Sequence, residues 1–512
     1  MSASKQSVEV KHRGLITLSI MLATVMQVLD TTIANVALPS MQGSLGAAQD
    51  SITWVLTSYI VAAAIMTPVT GWLADRVGLK TLFITSVGGF VLFSMLCGIA
   101  TSLEEMVAFR LLQGVFGAPL VPLSQTVLLN INPKERHGQA MALWGTGIMV
   151  GPIIGPTLGG YLTEMLDWRW VFYINLPIGI VAFVGMLIWL PRSTTRPRGF
   201  DFLGFALLSL AVGGLQMMLD RGEQLDWFAS TEIWLEAALA LSAFWAFVIH
   251  ILTAEKPFIE PRILRDRNLA VGLVLIFVVG VIVLAAMALL PPLLQRLMGY
   301  PTITTGLVIA PRGVGVMVSM IAVGRLVQRV DARLMILAGL ALTAWSLHLM
   351  TEYTIVMGMG PIITSGIIQG LGLGLIFVPL STLAFATLAP QDRTDAASLF
   401  SLLRNLGSSV GVSAVTSLLA QNTQINHAEL GAFINPFRVQ LDPYLALLGT
   451  ISPAKGLAMV DAMVNQQAAM IAYLNDFKLM MLVTLGIAPL LLLLRKPARR
   501  AAAGDDHPAV ME

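Results

Sequence analysis

Apolar runs of 18 or more residues recur from one end of this 512-residue chain to the other, and that recurrence constrains the fold more than any other feature. Runs of this length read as membrane-spanning helices, because about 20 helical residues cross a hydrocarbon core of about 30 Å. The chain is 56% hydrophobic and only 12% charged, with a mean hydropathy of +0.79. A soluble protein of this size would need far more charge to cover its surface. The expected fold class is therefore an all-α polytopic membrane protein. Its 45 glycines and 27 methionines suit closely packed helices and a surface that adapts to varied ligands. The net charge of +2 is dispersed over short loops and points to no nucleic-acid partner. The single cysteine, Cys97, excludes a disulfide framework and a thiolate metal site. The first apolar run is too long for a cleaved signal and reads as a retained anchor.

Fourteen spans are expected, at about 14–37, 51–72, 81–100, 105–128, 138–162, 170–190, 202–219, 231–252, 269–293, 303–324, 334–350, 360–386, 396–420 and 477–494. Alternate connecting segments carry 22 basic residues on one side and six on the other, with three more (Arg110, Arg312, Arg404) inside spans. That asymmetry predicts cytoplasmic termini. The first dozen residues and the tail 497–512 read as disordered. Residues 421–476 read as one long outer loop.

The chain also repeats itself. "GWLADRVGLK" (71–80) aligns with "GRLVQRVDAR" (324–333) at an offset of 253. "QG" at 113–114 and 369–370, then "VPLS" at 121–124 and 378–381, follow at 256 and 257. Gly147 and Gly151 match Gly407 and Gly411 at 260. Four ordered matches describe a duplicated six-helix unit, with residues 1–190 as the first half and 256–496 as the second. The linker 191–255 carries two inserted spans. Parallel six-helix halves with a substrate site between them are a transporter architecture.

Three stretches carry the chemistry. In the first loop, Gly71 permits a tight helix exit, and Asp75 can pair with Arg76, Lys80 or a facing helix end. Gly324, Arg329 and Arg333 hold the matching positions of the second loop. Such clusters fit a latch on an inner gate, or ordinary basic loop chemistry. In "GTGIMVGPIIGPTLGG", Gly147, Gly151, Gly155 and Gly159 recur every four residues, one flat stripe for a close helix approach. Pro152 and Pro156 favour a bend there. Third, Asp30 stands in the first span, where a charge costs about 2.5–3.5 kcal/mol. Arg110 in the fourth span lies at a similar depth, as a partner or as an arginine reaching for the headgroups.

These residues resemble the major facilitator superfamily. "GWLADRVGLK" is similar to its cytoplasmic loop signature, and the glycine-proline stretch to the motif of its antiporters. Fourteen spans with "LDTTIANVALP" in the first resemble the fourteen-helix drug:proton antiporters (DHA2). "LQMMLDRGEQLDWF" and the long outer loop resemble the EmrB type. The resemblance implies a major facilitator fold of 6+2+6 helices and proton-driven multidrug efflux from the bacterial inner membrane. It implies proton coupling by Asp30 and Arg110, and no cofactor beyond the proton gradient. It also implies a periplasmic adaptor of the EmrA kind and an outer-membrane channel of the TolC kind. Burial favours a neutral Asp30 and a neighbouring arginine favours its anion, so proton occupancy can switch. A purely structural ion pair is the alternative.

Polar residues within spans that suit a substrate cavity are Gln27, Asn35, Gln113, Gln125, Arg312, Gln369, Arg404 and Asn405. Three arginines against one aspartate in the two halves favour neutral or weakly acidic lipophiles, although an arginine can equally cap a carbonyl or meet a lipid phosphate. Glu236, His250 and His348 read as peripheral. Alternatives of the same fold are an uptake symporter and a lipid or fatty-acid transporter. Among enzyme signatures, HExxH and a Walker A loop do not occur, and no catalytic or metal site is expected. The outer loop suits adaptor docking or a lid over the transporter.

Overall fold

The computed structural model describes residues 12–434 and 453–495, apart from 134–135, 192–194, 196–198, 256, 258 and 328. Both expected disordered tails and the middle of the expected outer loop lie outside the described residues. Helices form because long apolar segments must bond their own backbone in hydrocarbon. Polar side chains start several of them: Ser102 accepts from the Glu105 amide, Asp201 from Gly204 and Asp266 from Leu269.

The first group is α1 (Arg13–Leu45), α2 (Trp54–Met66), α3 (Thr70–Val77), α4 (Leu79–Ile99), α5 (Leu103–Gly117), α6 (Leu120–Ile131), α7 (His137–Met165) and α8 (Asn175–Trp189). A hairpin of α9 (Phe202–Arg221) and α10 (Thr231–Thr253) follows. Then come α11 (Arg267–Pro292), α12 (Thr302–Leu326), α13 (Ala332–Met350), α14 (Met359–Ala386), α15 (Arg393–Ala432) and α16 (Pro453–Gly486). The main packing pairs are α1 with α7 and α8, α2 with α5, α11 with α15, α12 with α14, and α13 with α14. The seam between the two groups is closed by α7 against α12 along its length and by α3 and α6 against α15. Asn268 and Arg495 exchange two hydrogen bonds, which sets the start of α11 beside the segment that follows α16.

Among the described residues, twelve helices are long and apolar enough to cross a membrane, or thirteen with α2 and α3 taken as one span bent by 60°. The expected thirteenth span, 396–420, lies in α15, 40 residues long but too polar to qualify. Arg404, Asn405 and a run of serines interrupt its apolar stretch.

The outer loop expected over 421–476 is also corrected. Helix α15 continues to Ala432 and α16 begins at Pro453, so both flanks of the interval are helical. Their polar sequence ends the hydropathy signal without ending the helix. Asn426 donates to the Ala468 carbonyl at 3.2 Å, and His427 meets Asp461 at 2.9 Å. The last candidate span accordingly runs from Ala458 to Leu493, well before residue 477. In the inserted hairpin, Thr57 of α2 donates to Asp220 of α9, which docks the pair on the bundle. Glu236, expected at the periphery, is buried on α10 with Oε2 unpartnered.

Candidate functional site

Asp30 sits near the middle of α1, 2% exposed, and Arg110 reaches it from α5, itself 1% exposed. Arg110 Nη1 donates to Asp30 Oδ2 at 2.7 Å. The arginine is thus an interior partner of the carboxylate and does not reach for a headgroup. Gln113, one turn further along α5, donates to Asp30 Oδ1 at 3.0 Å while its own oxygen accepts from Arg110 at 2.8 Å. Asn175 at the start of α8 donates to Oδ1 at 2.7 Å.

Three donors thus engage both oxygens of one carboxylate. The guanidinium is satisfied in turn. Its Nε donates to the Val55 carbonyl of α2 at 3.0 Å, and its Cζ lies 4.3 Å from the centre of the Tyr59 ring. Gln27 donates to the Tyr59 hydroxyl at 3.3 Å, which brings a second expected residue to the same centre. Asn175, Tyr59 and Ser94, whose hydroxyl accepts from Asn175 at 2.9 Å, were not foreseen. The available signal was polar character within otherwise apolar spans.

The glycine stripe of α7 packs on the α1 segment that carries Asp30. A Cβ on Gly151 would stand 3.1 Å from the Leu29 amide nitrogen, and one on Gly155 would overlap Thr32 Oγ1. Gly147 faces Met21 and Gly159 faces Ile33. Thr32 donates to the Gly151 carbonyl at 3.3 Å. Helix α7 runs from His137 to Met165 through Pro152 and Pro156. Any slide of α7 therefore bears on the backbone around Asp30.

The two matched loops close reciprocally. Gly71 lies against Asp395 in the first turn of α15, where a Cβ would stand 3.2 Å from the Asp395 Cα. Gly324 lies against α7, where a Cβ would meet the Ala142 Cβ at 2.8 Å. The tight exit expected at Gly71 falls instead at Gly78, whose φ of 87° needs a glycine. Gly71 is there for close approach. Lys80 donates to the Leu187 carbonyl at 2.8 Å, Asp75 is half-buried, and Arg76 and Arg329 are exposed. Arg333 begins α13, its amide bonded to the Asp331 cap. A further bond across the seam was not foreseen: Arg393 of α15, 5% exposed, donates to the Leu129 carbonyl and to Asn130 Oδ1 at 3.2 and 3.0 Å.

The remaining cavity candidates divide. Gln125 and Gln369 are fully buried, with both amide atoms of each unpartnered among the described residues. Asn35 and Asn405 are exposed, and Arg404 is half-buried with a 3.4 Å bond to Asn405. Arg312 is buried on α12; Nη2 donates to the Val283 carbonyl at 3.3 Å and Nη1 has no partner among the described residues. Val283 follows Asp30 by 253 residues, the offset of the matched loops. The second repeat thus also brings an arginine to this position, from another helix and without the carboxylate. Nearby Tyr353 bonds Ser365, and burial pushes its hydroxyl up to about 12. His250 pairs with Asp201 at 2.8 Å between α9 and α10, and His348 is exposed beside Glu352.

Residues 20–412 match the model of the Major Facilitator Superfamily. The fatty acid resistance protein FarB of Neisseria gonorrhoeae is 36% identical over 96% of this chain and 97% of its own. The multidrug export protein EmrB of Escherichia coli K12 is 38% identical over 83% of both chains. The probable multidrug resistance protein EmrY of the same strain is 38% identical over 82% of this chain and 83% of its own. The crystal structure of the human organic anion transporter MFSD10 (TETRAN) superposes with a TM-score of 0.60 at 14% identity, covering 94% of this chain and all of that one. The chain belongs to the Major Facilitator Superfamily and has its fold.

Proposed function

We propose that this superfamily member is a proton-driven multidrug efflux antiporter of the bacterial inner membrane, with both termini cytoplasmic and no enzymatic activity. The observation that carries the reading is the Asp30–Arg110 pair, held by Gln113 and Asn175 and packed through α1 on the glycine stripe of α7. Its likeness to EmrB and EmrY supports drugs as the cargo.

In this reading, the charged Asp30 ties α1 to α5 and α8. A proton neutralises the carboxylate and loosens its bond to Arg110, which keeps the Val55 carbonyl and the Tyr59 ring. Different gate states then suit the two protonation states, which couples proton entry to drug exit. Residues 1–190 and 256–496 form two parallel six-helix halves, with the inserted pair between them. The latch residues Gly71 and Gly324 each meet the opposite half.

Cargo is lipophilic and neutral or weakly acidic. Arg312, with Nη1 unpartnered and no carboxylate in its bonds, supports that bias, as does the fatty acid resistance named for FarB. The same two observations favour a fatty-acid exporter as a second reading. A groove of 590 Å³ at the outer end, lined by Arg296, Met459, Met463 and Gln466, suits an EmrA-type periplasmic adaptor leading to a TolC-type channel.

The test is gradient-driven transport in vesicles against a panel of neutral, acidic and dicationic lipophiles. Export of several unrelated neutral and acidic compounds supports the multidrug reading. Movement of long-chain fatty acids alone favours the second, and no dependence on the proton gradient rejects the antiporter.

A further inference from the structure

Besides Asp30 and the Glu236 of the inserted pair, helix α16 carries a buried carboxylate of its own. Asp476 lies within the Ala458–Leu493 span, 1% exposed. Its Oδ2 has no hydrogen-bond partner, and no ion pair reaches it among the described residues. Tyr473, Phe477 and Met480 share its buried face, and Phe477 packs on Tyr353 with ring centres 6.0 Å apart.

Helices α11, α13 and α15 pack against α16. From the pairings of Asn426 with Ala468 and His427 with Asp461, helix α16 runs back along α15 toward its Ser413–Ser417 stretch. Ser413 Oγ there is also buried and without a partner. Charged groups on the surrounding elements do not neutralise it. Arg296, beyond the end of α11, acts on Tyr473 one turn away. His348 on α13 is exposed beside Glu352, and His427 on α15 is exposed beside Asp461. Lys478 on α16 is exposed. Arg404 lies at least two turns deeper along α15, while Arg267, Arg333 and Arg393 lie at the far ends of their helices.

We propose that Asp476 is a second proton-binding site of the transport cycle, separate from the Asp30–Arg110 centre. An ionised carboxylate buried without a partner costs far more than its neutral acid form. A charged residue retained within a membrane span points to a changing occupancy there. The two carboxylates have opposite surroundings: Asp30 has three hydrogen-bond donors, and Asp476 has none among the described residues. Because α16 also forms one leg of the outer hairpin, loss of this proton would strain its packing against α15.

This inference rests on the reading of the chain as proton-coupled, so its test has one arm independent of transport. Dicyclohexylcarbodiimide reacts with protonated carboxyls in apolar surroundings. In purified full-length protein carrying Asp30→Asn, the peptide containing Asp476 should be labelled at neutral pH, with labelling falling as pH rises. Unlabelled Asp476 peptide from acid to alkaline pH overturns the proposal whether or not the protein pumps protons. In proteoliposomes, Asp476→Asn should lower the coupling ratio by one proton per substrate, and Asp476→Glu should restore it. An unchanged ratio in folded Asp476→Asn protein also overturns the proposal. Wild-type protein that ignores the gradient overturns the antiporter reading instead, and the labelling arm still decides whether Asp476 binds a proton.

Discussion

Asn175 donates to Asp30 Oδ1 at 2.7 Å and is itself fixed by a 2.9 Å bond to Ser94. The Ser94 hydroxyl donates onward to the Phe172 carbonyl at 2.9 Å. The carboxylate of α1 is therefore tied to α8 and α4 as firmly as to the arginine of α5. A change in its charge is felt by all of them at once, and this makes the centre more than a salt bridge.

Asp30→Asn removes the proton-accepting group while keeping an oxygen for Asn175. Gradient-driven export should fall by on the order of tenfold or more, the size of a typical coupling energy. Vesicle transport measures it, with elution profile and detergent thermal unfolding as the check on folding. Export at the wild-type rate would remove Asp30 from the coupling step.

Breaking a buried ion pair from one side costs about 3–5 kcal/mol, because the other charge is left behind. Asp30→Asn and Arg110→Gln should each lower stability on that scale. The double variant should be more stable than the sum of the singles implies, yet remain uncoupled. Thermal denaturation of the four proteins gives the cycle.

The stripe offers a graded test. Gly155→Ala collides with the Thr32 hydroxyl, so adding Thr32→Ala should recover much of its lost transport. Gly151→Ala meets Val28 Cγ1 at 2.7 Å and the Val28–Leu29 backbone at 3.1 Å, so trimming Val28 to Ala should recover it only in part. Equal rescue at both positions would argue against contact with α1 as the cause.

Gly71→Ala forces Asp395 away from α3 and loosens the seam beside it. Single cysteines at Asn130 or Ser398 should then react faster with a membrane-impermeant thiol reagent applied from the side of the termini. Unchanged reactivity would show that Gly71 does not hold this end closed.

If the proposed adaptor docks on the ends of α15 and α16, a deletion within 425–470 should leave vesicle transport intact while abolishing co-purification with that adaptor and drug tolerance of whole cells. Lost vesicle transport with normal adaptor binding would make the hairpin a gate.

Legibility in the sequence followed the range of the forces involved. Apolar length alone located nearly every helix, and the depth of Asp30 and Arg110 along their helices paired them correctly. Asn175 and Tyr59 were missed because rotation about a helix axis, set by packing, decides which polar residue points inward. Asp476 was missed for another reason. The polar beginning of α16 hides it from a hydropathy window, so it was counted as loop and left out of the charge tally. At Gly71 the residue stood out for the wrong cause: a glycine that lets another helix approach looks, in sequence, like one that lets the chain turn.

Each of the matched loops rests on the other repeat, Gly71 on α15 and Gly324 on α7. As two separate polypeptides, the repeats could make these contacts only at concentrations that kept them associated. Joined in one chain, each loop meets its receptor at the high effective concentration a tether provides. The clasp can then be weak enough to open in every cycle, because release no longer carries the risk of separation.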